Sequence, residues 1–189
     1  MKNRTNTRWL TQLALLVAIL LVLNYTPLGY LQIGPLSASL LTVPVAIGAM
    51  TMGPTAGAIL GGVFGATSFI QAVEGKSAMG AALFQVSLFG TFVVCFVARV
   101  LVGLCAGLIF KALCKALPKK EKLCCFLGGL AAPVLNTAFF MGFLVLIFYN
   151  CEYVQNLAGT LGATNAFMFI VLLVGVQAIF EWVICCLVA

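Results

Sequence analysis

The sequence predicts an all-α integral membrane protein of six transmembrane helices with both termini cytoplasmic, and three observations lead there. Hydrophobic residues make up 63% of the chain and charged ones 7%, with a mean hydropathy of +1.20, whereas an ordinary soluble domain carries about a quarter charged residues. Apolar runs of span length recur along the chain, and 189 residues accommodate roughly six spans of about 20 residues with short connections. Basic residues gather on alternate connections, which orients the whole. Residues 1–189 therefore read as a single six-helix membrane domain.

The first helix is expected at 9–24, after the basic stretch MKNRTNTRW. No small-residue cleavage site in a polar context accompanies Leu10–Leu23, and further spans follow, so the segment reads as a retained helix and not a signal peptide. The break NYTPLGYLQIGP (24–35) leads to a second helix at 38–52. A Gly53-Pro54 corner joins it to a third at 54–72, with Pro54 suited to a first turn because its missing N–H would be unpaired there anyway. QAVEGKSAMG (71–80) precedes a fourth helix at 86–114, KALCKALPKKEK (111–122) a fifth at 123–149, and NCEYVQNLAGTLGATN (150–165) a sixth at 165–188. Lys2, Arg4, Arg8, Lys111, Lys115, Lys119, Lys120 and Lys122 fall on one side, Lys76 alone falls on the other, and Arg99 lies within a span. Both ends are thus expected in the cytoplasm, with 24–37, 72–85 and 150–164 facing outward. The net charge of +6 reads as an orientation signal with some lipid-headgroup contact, not as a nucleic-acid footprint.

Several chemistries are disfavoured early. With no histidine and four acidic residues, the chain has little general acid–base equipment, so an intramembrane enzyme is not expected. All eight cysteines except Cys151 lie in or beside apolar segments, where small apolar filler is their ordinary role, and neither a metal nor a cofactor is expected. Gly75-Lys76-Ser77 mimics the tail of a nucleotide-binding P-loop, but the leading glycine position holds Ile70, so no such loop is present.

The glycines have a different use. Gly53, Gly57, Gly61 and Gly65 recur every fourth residue, the spacing of one helix face, and small residues there let membrane helices pack backbone to backbone; direct ligand contact is the alternative. Ala14 and Ala18 form a second small pair, either ordinary packing or a smooth docking face for another membrane protein.

Polar residues inside apolar spans carry the functional signal. Arg99 lies twelve residues before Lys111, about 18 Å along a helix, too far to snorkel easily. A central arginine costs roughly 2.5–3.5 kcal/mol on insertion scales, so it is expected to face the bundle interior with a partner: Glu181 within the protein, or a ligand carboxylate. Asn136, in PVLNT at similar depth, suits amide or hydroxyl recognition or interhelical bonding. Pro133 just before it frees a backbone carbonyl. Gln71 and Gln85 sit at span mouths and Gln177 lies deeper, all three readable as rim or packing residues.

Together these features resemble the substrate-binding S components of energy-coupling factor (ECF) vitamin transporters. The likeness runs over essentially the whole chain, and its most specific part is VPVAIGAMTMGPTAGAILGGVFG (43–65), which is similar to a P-x-x-x-G-x-x-x-x-G-P-x-x-G pattern at the second-to-third helix corner. The resemblance implies a subunit without an ATPase of its own that binds a vitamin from outside with high affinity and delivers it by toppling in the membrane. Its implied partners are a transmembrane scaffold protein and two ATP-binding-cassette ATPases, with Ala14 and Ala18 on the docking helix. The implied ligand site brings in Tyr30, Gln71, Gln85, Arg99, Asn136 and Gln177. Arg99, with Lys76 above it, favours an anionic vitamin, and the pantothenate-type branch is the most similar; Trp9 and Trp182 lie toward the cytoplasmic ends, unlike the tryptophan-rich site expected for thiamine. Riboflavin, for which fifteen phenylalanines offer stacking partners, folate and other small vitamins are the alternatives. A stand-alone secondary transporter is the rival outside the family, but no internal repeat supports it.

Overall fold

A computed structural model describes residues 2–26, 30–33, 36–116, 121–160, 162, 165 and 168–170. In chain order these form α1 (Lys2–Tyr25), β1 (Tyr30–Ile33), β2 (Leu36–Ser39), α2 (Thr42–Met52), α3 (Pro54–Val73), α4 (Ala78–Val86), α5 (Leu88–Phe92), a π-helical turn (Val93–Val97), α6 (Ala98–Ala116), α7 (Glu121–Phe148) and α8 (Glu152–Thr160). Among the described residues four stretches are long and apolar enough to cross a membrane: Thr7–Tyr25, Pro54–Val73, Leu88–Ala116 and Cys124–Phe148. The third runs through α5, the π turn and α6. Of the expected sixth helix, Met168–Ile170 is helical, and the remainder lies outside the described residues.

Among the described residues the architecture is helical apart from one hairpin, which corrects the second expected helix. Residues 36–39 pair antiparallel with 30–33, with Tyr30 opposite Ser39 and Ile33 opposite Leu36, so the helix starts at Thr42 and not at 38. Leu36-Ser-Ala-Ser39 is small and partly polar, and a short strand satisfies its backbone across the hairpin. Pro44 then falls in the first turn of α2, where its lack of an N–H costs nothing. At 11 residues, α2 spans about 16 Å, short of the roughly 30 Å hydrocarbon core.

Two expected loops also contain helices. Ser77 accepts from the Gly80 amide at 3.2 Å and so caps α4, and Ser87 does the same for Gly90 at 3.2 Å where α5 begins, the side-chain capping that serine provides well. Glu152 stands in the first turn of α8, where the helix dipole favours a carboxylate. Val154 and Ala158, one turn apart on α8, are buried against a cluster containing Leu83, Leu144 and Phe148. Glu152, Gln155 and Asn156 remain exposed, so α8 lies on the bundle as an amphipathic cover.

The centre of the fold is the seam between α3 and α6. A Cβ at Gly57 would strike the Gly103 carbonyl, one at Gly61 the Arg99 carbonyl, and one at Gly65 the backbone of Cys95 and Phe96. Gly103 and Gly107 answer from α6, against Gly57 and Pro54. The two backbones touch over three turns, with dispersion between them where side chains would otherwise intervene. Gly53 stands apart from this seam: no described residue lies within 4 Å of its Cβ direction, and its φ of +93° makes it the corner, a conformation that glycine adopts without steric cost.

Candidate functional site

The seam sets the depth of Arg99. Arg99 is the second residue of α6, one residue beyond the π turn, and π turns inside helices are frequent at functional sites. Arg99 is 9% exposed. Its guanidinium carbon lies 4.8 Å from the Phe64 ring centroid and 4.7 Å from that of Phe140, well within cation–π range. Phe64 comes from α3, between Gly61 and Gly65, and is 2% exposed; Thr67, also buried, returns its hydroxyl to the Phe64 carbonyl at 2.9 Å. Phe140 comes from α7, four residues after Asn136, so the ring and the amide share one helix face.

Asn136 is 6% exposed, and its buried Oδ1 has no hydrogen-bond partner among the described residues. Such an atom costs roughly 1–3 kcal/mol of desolvation, so an acceptor waits for a donor one turn of α7 from the ring that touches Arg99. A cation, two aromatic faces and an amide acceptor thus come together from three helices. That set can bind a molecule carrying both a carboxylate and an N–H or O–H donor.

The other candidate residues are placed differently. The Gln71 amide donates to the backbone and side-chain oxygens of Asn24 at 3.3 and 3.1 Å, tying α3 to the last turn of α1. Gln85 is exposed near the end of α4. Tyr30 belongs to β1, opposite Ser39. Gln177, and with it Glu181, lies outside the described residues. Lys76 is no lone cation: its ammonium pairs with Glu74 at 2.6 Å on an exposed turn, and the hydrogen bond and charge of Glu74 raise the lysine pKa. Two neighbouring opposite charges give little net field, so the anionic preference rests on Arg99 alone among the residues of that reading. Ala14 and Ala18 are exposed on α1, beside Leu15 at 62% and Ile19 at 42% exposure. Among the described residues no three histidine, cysteine or acidic side chains converge as metal ligands would.

Phe64, Phe140 and Asn24 were not singled out from the sequence. Nothing in composition distinguishes two phenylalanines among fifteen, although one sits inside the glycine ridge and the other a helical turn from Asn136.

Comparison with known proteins decides the family. Residues 8–189 match the family model described as ECF transporter, substrate-specific component. The chain belongs to this family. A relative, the pantothenate transporter PanT of Leuconostoc mesenteroides subsp. mesenteroides, is 31% identical over 143 residues, covering 71% of this chain and 67% of that protein. The chain is thus a vitamin-binding S component, a multi-pass membrane protein that works with an ECF module. The likeness read from the 43–65 stretch holds over the whole matched length.

Proposed function

We propose that this S component binds pantothenate, with Arg99 taking the carboxylate and Asn136 a donor of the amide or hydroxyl end. The observation that carries the reading is the buried Arg99 guanidinium beside Phe64 and Phe140, joined on α7 by the unsatisfied Asn136 Oδ1. A buried arginine is a costly feature of a membrane span that function commonly explains, and the kinship with a pantothenate transporter points to the same class. Tyr30, Gln71, Gln85 and Gln177 would then shape the rim. A flavin site finds less support: Phe69 packs edge-on against Phe84 and Phe92, and Phe92 stacks on Phe96, so these rings are occupied with one another.

The chain in this reading is one six-helix domain, with both termini cytoplasmic, and is a carrier subunit and not an enzyme. Its module consists of a transmembrane scaffold protein and two ATP-binding-cassette ATPases. The exposed Ala14 and Ala18 face of α1 meets the scaffold. Mass spectrometry of the small molecule retained by detergent-purified protein tests the substrate: pantothenate is expected, and a flavin or a folate in its place would contradict the assignment.

A further inference from the structure

We propose that Pro133 and Asn136 together make a two-acceptor subsite on α7 that takes the two hydroxyls of a 1,3-diol, and that this subsite selects the end of the vitamin away from its carboxylate. Pantothenate carries such a diol, so the proposal rests on the substrate reading above.

Asn136 supplies the first acceptor. Its Oδ1 is buried, in a residue 6% exposed, and has no hydrogen-bond partner among the described residues, a state that costs stability until a donor arrives. Pro133 supplies the second. It stands inside α7, where a proline has no N–H to offer the carbonyl four residues back and its ring crowds that oxygen away from the helix; the oxygen is that of Gly129. In membrane helices a backbone group released in this way is satisfied by other partners.

The two acceptors share one face of the helix. Gly129, Pro133 and Asn136 are buried while Val134 and Ala138 are exposed, so the turn that releases the carbonyl looks into the bundle. A helical side chain leans toward the N-terminus, over the turn before its own Cα. Asn136, three residues after Pro133, therefore leans over that same turn. Beside it Ala132 packs with Ala46 and Ala49 of α2 and Ala106 of α6, each at 3% exposure or less, and alanine side chains bring no donor of their own. A ligand end with two O–H groups meets both acceptors, whereas the same end without them leaves both unpaired. That asymmetry lets a hydrogen-bonding site reject an analogue that a purely apolar pocket would tolerate.

The test is calorimetric titration of the purified full-length protein with pantothenate and with its analogue in which both hydroxyls are replaced by hydrogen, alongside thermal unfolding without ligand. The wild type is expected to bind the diol roughly tenfold tighter or more. Pro133→Ala, which returns an N–H to the Gly129 carbonyl, and Asn136→Leu, which removes the buried oxygen, are each expected to lose part of that preference, and the double variant all of it. Neither change is expected to lower the melting temperature, since one removes a proline from a helix interior and the other an unsatisfied buried acceptor. Binding that weakens while stability holds or rises is the signature of a ligand site. A diol preference unchanged in Pro133→Ala, or equal losses for diol and analogue with a lowered melting temperature, would overturn the proposal. A wild type that binds pantothenate but is indifferent to the hydroxyls would overturn it and leave the substrate reading standing, whereas a wild type that does not bind pantothenate would overturn both. Should Asn136→Leu fail to fold, Pro133→Ala decides the matter.

Discussion

At the scale of single residues, Arg99 and Asn136 are costly to bury and both are buried, at 9% and 6% exposure. We expect Arg99→Ala to weaken pantothenate binding by about 2–5 kcal/mol, the range for truncating one partner of a buried charge pair, and Arg99→Lys to weaken it substantially because lysine cannot copy the fork. Asn136→Ala should cost less, about 1–3 kcal/mol. Titration of the purified variants measures both; normal affinity in Arg99→Ala, accompanied by loss of folded protein, would make Arg99 structural. Both residues were legible in the sequence because an arginine and an asparagine break apolar runs of span length. Their aromatic neighbours were not, since a phenylalanine in a membrane helix looks the same whether it meets lipid, another ring or a cation. Lys76 looked like a lone positive charge because the pairing with Glu74, two residues away in a turn, depends on backbone geometry.

At the scale of elements, the helix periods were readable and the interruptions were not. The long helices α3 and α7 follow directly from apolar runs of span length. The hairpin of β1 and β2 did not, because Leu36–Ser39 is equally compatible with a helix start, and pairing with Tyr30–Ile33 decides it. Helices α4 and α8 lie in stretches whose polar residues suggested loops; the Ser77 cap of α4 is local, but the partners of their buried faces are set by tertiary contact. The α3–α6 seam supplies a contrast between two glycines. Gly61→Ala would drive a methyl into the Arg99 carbonyl, and we expect a loss of about 1–3 kcal/mol or more from such overpacking. Gly142→Ala on α7 meets nothing within 4 Å among the described residues, and its better helix propensity should leave stability unchanged or raise it by up to about 1 kcal/mol. Thermal unfolding in detergent separates the two; equal tolerance at both sites would remove the seam from the account. On α1, replacing the exposed Ala14 and Ala18 by bulky residues should preserve vitamin binding and abolish uptake. A joint fall of binding and uptake would make the pair internal packing instead.

At the scale of the whole molecule, the proposed arrangement of six spans with cytoplasmic termini would put Cys114, exposed at the end of α6, inside and the exposed Ser77 outside. In a background lacking other cysteines, Ser77→Cys should react with an impermeant thiol reagent on intact cells, whereas native Cys114 should react only after permeabilisation; the reverse pattern would invert the topology. Membership of the S-component family was legible from the 43–65 corner because backbone packing there admits few residues besides glycine. The identity of the vitamin was less so, since the proposed site draws on side chains from three helices that sequence spacing alone does not bring together. The claim on which the rest depends is that the chain binds an acidic vitamin through its carboxylate. Calorimetric titration of the wild-type protein with pantothenate and with its alcohol analogue tests it most directly. The account predicts clearly tighter binding of the acid, with that preference lost in Arg99→Ala; equal affinity for the two, or a preference that survives without Arg99, would contradict it.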